Sequence, residues 1–81
     1  MDFKTATDRV GGCITHAEIA EAAGVSIQTV RQARMNPTSS SFRNPPAGWE
    51  TVLARLALRR ARELQLFAHS LAPGEPRDAE T

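Results

Sequence analysis

The chain of 81 residues has one cysteine, one tryptophan, three phenylalanines and no tyrosine. A lone Cys13 rules out a disulfide framework, so nothing points to an oxidising compartment. The apolar runs are only a few residues long, too short for a membrane-spanning helix, and no signal-peptide pattern is evident. These absences lead us to expect a cytoplasmic protein without a membrane partner. A glycine-rich phosphate loop is missing, the acidic residues are scattered, and neither histidine has an evident nucleophile beside it. No enzyme is therefore expected. Cys13 and His16 have a spacing seen in zinc sites, but a structural site needs four ligands, and only His69 remains. No metal is expected, and Cys13 reads as a small buried hydrophobe. A core this small also leaves no evident pocket for a cofactor or small-molecule ligand.

Alanine and leucine are abundant and β-branched aliphatic residues are few, which favours helix. The length suits one domain. Net charge is only +1, yet it is unevenly placed. Residues 1–25 sum to −2, residues 26–62 to +6 and residues 63–81 to −3. The central excess consists of Arg31, Arg34, Arg43, Arg55, Arg59, Arg60 and Arg62 against Glu50. Arginine presents a planar fork that matches phosphate and guanine, where lysine offers only a point charge. This distribution favours a nucleic acid over a membrane surface. For the arginines after residue 55, a solvated helix face is an equal reading.

Local signals divide the chain into about four helices. Residues 3–10 form a short first helix with Phe3, Ala6 and Val10 on one side, ended by Gly11-Gly12. Thr15-His16-Ala17-Glu18 is a capping box, and it opens a second helix to about Ala23. Gly24 stands where a left-handed turn is needed. Ser26 caps a third helix that runs to about Met35. Residues 36–44 read as a loop. Pro45-Pro46 opens the last helix, and no breaker interrupts residues 47–71, a rod of about 37 Å. Its first part carries Trp49, Val52, Leu53 and Leu56 towards the core. Ala57, Ala61, Leu64, Ala68 and Leu71 continue at alternating spacings of four and three, a candidate dimer interface. Residues 72–81 read as a disordered acidic tail, leaving 1–71 as the domain.

The densest pattern lies in residues 15–35. Counting His16 as the first position, alanine stands fifth, glycine ninth and valine fifteenth. Apolar residues stand fourth, eighth, tenth and eighteenth. Ile19, Ala20, Ala23, Gly24, Val25, Val30 and Ala33 thus have the spacing of a DNA-reading helix-turn-helix. With Val30 and Ala33 buried, the third helix presents Ile27, Gln28, Arg31 and Gln32 outward, with Ser26 and Thr29 near its start. Glutamine pairs bidentately with adenine, and arginine with guanine or phosphate. Ile27 suits either a thymine methyl or packing against a neighbouring loop. Ser26 can cap the helix and touch phosphate. Arg34 and Arg43 are better placed for the DNA backbone than for bases.

Residues 15–35 resemble the helix-turn-helix of Cro/CI-type transcriptional repressors. A narrower resemblance continues through Phe42-Arg43-Asn44-Pro45-Pro46, Trp49, Val52, Leu53, Leu56 and Ala57. That pattern is similar to the small anti-CRISPR-associated repressors of phages and mobile elements. The resemblance implies an all-helical, Cro/CI-like homodimer in a bacterial or phage-infected cell. It would bind a palindromic operator in double-stranded DNA and repress transcription, often of its own operon. Carried over by position, Gln28, Thr29, Arg31 and Gln32 read bases, and Ser26 and Arg43 meet phosphate. The first motif position is His16 where glutamine is common, so the usual phosphate contact is either weaker or made by the imidazole. Two other classes fit the same residues. One is an antitoxin or adaptor that binds another protein through the long helix. The other is a DNA-packaging or recombination accessory factor.

Overall fold

The structure, a computed structural model, describes residues 1–72. Four α-helices and no strand occur among the described residues: α1 (Phe3–Arg9), α2 (His16–Ala23), α3 (Ile27–Ala33) and α4 (Trp49–Leu71). The all-α class expected from composition is what the chain adopts. The tail beyond Ala72 lies outside the described residues.

Asp2 starts α1 by accepting the Thr5 N–H at 2.8 Å, which satisfies one of the unpaired donors of the first turn. Phe3, Ala6 and Thr7 face inward. The buried Thr7 hydroxyl donates to the Phe3 carbonyl at 2.9 Å, so its polar atom is not left unpaired. Val10 closes the helix one residue earlier than the pattern suggested. Its carbonyl accepts the N–H groups of Cys13 and Ile14 at 2.9 and 2.8 Å. This turn drops Ile14 into the core and leaves Cys13 exposed, correcting the expectation of a buried thiol.

The capping box at α2 is complete. Thr15 Oγ1 accepts the Glu18 N–H at 3.1 Å, and Glu18 Oε1 accepts the Thr15 N–H at 2.8 Å. Gly24 ends the helix at φ 74°, and the Val25 N–H returns to the Ala20 carbonyl at 2.9 Å. Ser26 then caps α3 through the Thr29 N–H at 3.1 Å. α3 stops at Ala33, short of the expected Met35. There the N–H groups of Arg34 and Met35 bond back three residues, a tight last turn that cannot continue as α-helix.

The largest boundary correction is at α4. Pro45-Pro46 lie outside the helix, which begins at Trp49 after Gly48 in a left-handed conformation, φ 77°. Proline disfavours helical backbone at the residue before it, and Gly48 makes the corner that the helix then leaves. From Trp49 the helix runs 23 residues, about 35 Å.

Phe3, Ala6, Ile14, Ile19, Ala20, Val30, Ala33, Leu53 and Leu56 form one core, contributed by every helix and by the α1–α2 turn. The Phe3 and Trp49 rings meet edge to face, centroids 5.2 Å apart, and fasten the start of α4 to α1. Ala57, placed at the dimer interface from its spacing, packs partly against this core instead. Only the first two turns or so of α4 are needed to close the domain. Residues 61–72 are all exposed.

Candidate nucleic-acid interface

α3 is held from below by Val30, fully buried, and Ala33. That attachment leaves its opposite side to solvent. Gln28 and Arg31 are exposed, Ile27 is 39% exposed, and Thr29 and Gln32 are half-buried. Gln28, Arg31 and the Gln32 carboxamide make no side-chain hydrogen bond among the described residues. Thr29 Oγ1 lies 3.0 Å from Ser26 Oγ, so these two hydroxyls brace the first turn as well as facing outward. The expected reading side chains therefore share one accessible face, with Thr29 and Gln32 at its margins.

His16 stands at the edge of that face. An open cleft between the start of α2 and α3 is lined by Thr15, His16, Ala17, Ile27 and Arg31, with Gly11 and Ile14 behind. The imidazole is half-buried, and its pKa lies below the ordinary 6.5. Desolvation is the main cause, reinforced by the positive charges of Arg34 and Arg31 and opposed by Asp8. Near neutral pH the ring is uncharged and can offer one N–H to an anion.

Arg43 sits beyond the C-terminal end of α3. Its backbone N–H donates to the Gln32 carbonyl at 3.3 Å, which draws the loop against the reading helix. Its guanidinium is exposed and, among the described residues, donates to the adjacent Phe42 carbonyl alone, at 2.9 Å. No acidic residue occurs between Glu21 and Glu50 in the sequence, so the acidic groups that reach this surface come from α1 and α2, Asp8 among them.

Arg34 is placed otherwise. Its Nε donates to Thr7 Oγ1 at 3.2 Å, and its Nη2 pairs with Asp8. Lys4 holds the same Asp8 carboxylate from the other side at 2.9 Å. Arg34 thus ties α3 to α1 and is drawn away from the phosphate role expected for it. Nothing near it in sequence signals this, because both partners come from α1.

Arg60 was likewise illegible locally, apart from Glu63 three residues on. Its guanidinium bonds the Cys13 carbonyl, the Glu18 carboxylate and, at 2.9 Å, Glu63 Oε1. It clamps α4 onto α2 and the turn before it. On α4, the expected interface residues Ala61, Leu64, Ala68 and Leu71 are exposed. Phe67, not assigned a side from the sequence, is exposed with them. No group of three or more histidine, cysteine or acidic side chains gathers as metal ligands among the described residues. Among the described residues no helix is long and apolar enough to cross a membrane.

Comparison with family models, curated proteins and solved structures yields no match. The functional reading therefore rests on the residues themselves.

Proposed function

We propose that this chain is a Cro/CI-like DNA-binding domain, acting as a homodimeric transcriptional repressor on an inverted repeat. The carrying observation is α3. It is fastened by Val30 and Ala33, capped by Ser26 after a left-handed Gly24, and presents Gln28 and Arg31 to solvent without a side-chain hydrogen bond among the described residues. A helix built this way suits the major groove, where glutamine and arginine distinguish base edges. His16 lies in the cleft beside Ile27 and Arg31, Ser26 caps the helix, and the Arg43 backbone is bonded to its C-terminal end. They would fix register and supply the salt-dependent part of the affinity. Occlusion of polymerase at the promoter follows, with the chain's own operon, of anti-CRISPR type, as the first candidate target.

The test is binding to the DNA upstream of the gene against a scrambled duplex at about 150 mM salt, where non-specific binding is weak. Wild type binds the upstream duplex selectively, and Arg31→Ala loses that selectivity. Weak, equal binding to both duplexes by the wild type rejects the repressor reading and favours a protein-interaction module.

A further inference from the structure

α4 outlasts the domain that it closes. Leu53, Ala57, Arg60, Leu64, Phe67 and Leu71 follow one another at spacings of four and three, so they share one helix face. Leu53 is buried and Ala57 packs on the core, while Leu64, Phe67 and Leu71 are 49%, 59% and 69% exposed. The exposed half is thus the direct continuation of the buried half, with nothing left in the chain's described residues to cover it. Arg60 marks the change-over. Its guanidinium is held within its own subunit by Glu18 and Glu63, which leaves its methylene stem as the apolar surface at that position. Ala61 and Ala68 border the stripe on one side and Glu63 and Ser70 on the other.

We infer that the exposed half of α4 pairs with the same segment of a second copy, antiparallel, with Leu64 of each chain against Phe67 of the other. This takes from the proposed function only that the chain works as two copies. The register makes a twofold, self-complementary contact. Each Leu71 then lies over the stem of the other copy's Arg60, and Ala61 lies beside Ala68 of the other copy, about 3 Å along the axis, small against small, so the helices can approach closely.

Charge selects this direction. The base of the exposed segment carries Arg59, Arg60 and Arg62. Its far end carries the unpaired carbonyls of a helix C-terminus, followed in sequence by Glu75, Asp78 and Glu80 against Arg77. Parallel pairing sets arginines beside arginines and one negative helix end beside the other. Antiparallel pairing sets each arginine group beside the opposite end and opposes the helix dipoles. It also carries the two domain bodies to opposite ends of the pair, with the Leu53 positions about 40 Å apart along the axis. That is the scale of two successive major-groove turns.

Cysteine cross-linking of the full-length chain in a Cys13→Ser background decides it, without DNA. Ala61→Cys and Ala68→Cys replace exposed residues and leave the core untouched. Mixed copies of the two variants should form a disulfide between unlike chains under mild oxidation, whereas neither variant alone should cross-link. Leu71→Cys copies, more than 10 Å apart across an antiparallel pair by about 1.5 Å per residue, should stay unlinked. Self-linked Leu71→Cys overturns the proposal in favour of parallel pairing. A monomeric mass with no cross-link in any mixture overturns it in favour of a different occupant. Either result leaves the DNA-binding test above to stand or fall separately.

Discussion

The two oxygens of one carboxylate, that of Glu18, are divided between the start of α2 and α4. Oε1 accepts the Thr15 N–H at 2.8 Å, and Oε2 receives the Arg60 guanidinium. The same side chain therefore completes the capping box and fastens the long helix to the helix-turn-helix.

Glu18→Gln keeps the shape and removes the charge. The Glu18 carboxyl lies below its ordinary 4.5, chiefly through the Thr15 N–H and also through Arg60, against a desolvation that pushes it up. A carboxyl with a lower pKa folded than unfolded adds stability that is complete above its unfolded value. That stability is lost as the pH falls through the folded one. Wild type should therefore melt a few degrees above Glu18→Gln at pH 7, and the gap should close progressively below pH 4.5. Thermal unfolding followed by circular dichroism across pH 3 to 7 measures it; a gap constant with pH would detach the charge from the effect.

How much of this was legible depended on how far a residue's decisive partner lies. The α2–turn–α3 unit was readable because Thr15 and Glu18, Gly24, and Ser26 and Thr29 settle its boundaries within four positions of each other. The start of α4 was not. Trp49 begins the helix where its ring meets Phe3 and where Gly48 turns the chain, and proline's usual place in a first turn pointed three or four residues too early. Arg34 and Arg60 show the same limit among charges. Both read as solvent-facing arginines suited to phosphate, yet Asp8 and Glu18, on other helices, capture them. Of the three arginines assigned to DNA by position, Arg31 and Arg43 keep the exposed placement that their spacing suggested.

Those different fates separate two arginines by measurement. Arg43→Ala should weaken binding to all duplexes about equally and reduce the slope of log affinity against log salt by about 1. Its melting temperature should not change, since among the described residues the guanidinium bonds the neighbouring carbonyl alone. Arg34→Ala should do the opposite, lowering the melting temperature while leaving the salt slope intact, because its contacts are with Thr7 and Asp8. Matching salt slopes for the two variants would show that Arg34 leaves Asp8 when DNA arrives.

His16 adds a proton to the same interface. In the free protein its pKa is depressed by desolvation, with Arg34 and Arg31 adding to the effect and Asp8 opposing it. A phosphate placed in the His16–Arg31 cleft favours the charged ring, so the complex holds the proton to a higher pH than the free chain does. Binding then takes up protons, and affinity should rise as the pH falls below about 6.5. His16→Gln, which keeps a neutral donor, should bind with little dependence on pH over the same range. Affinities measured at fixed salt between pH 5.5 and 8 compare the two, and parallel profiles would place the phosphate elsewhere.

Two glycines separate backbone conformation from space. A Cβ at Gly24 or at Gly12 would meet nothing within 4 Å, so neither substitution is blocked by a neighbour. Gly24, however, holds φ 74°, where a side chain crowds the following carbonyl at a cost of about 1–2 kcal/mol. Gly12 has no such φ, and alanine there mainly restricts the unfolded chain, worth about 0.4–1 kcal/mol of added stability. Gly24→Ala should accordingly lower the melting temperature, by about 4–8 °C for each kcal/mol in a domain of this size, and Gly12→Ala should raise it. The two changes act at separate turns, so the double variant should show their sum. Equal losses at both positions would mean that crowding, and not the left-handed turn between α2 and α3, sets the need for glycine.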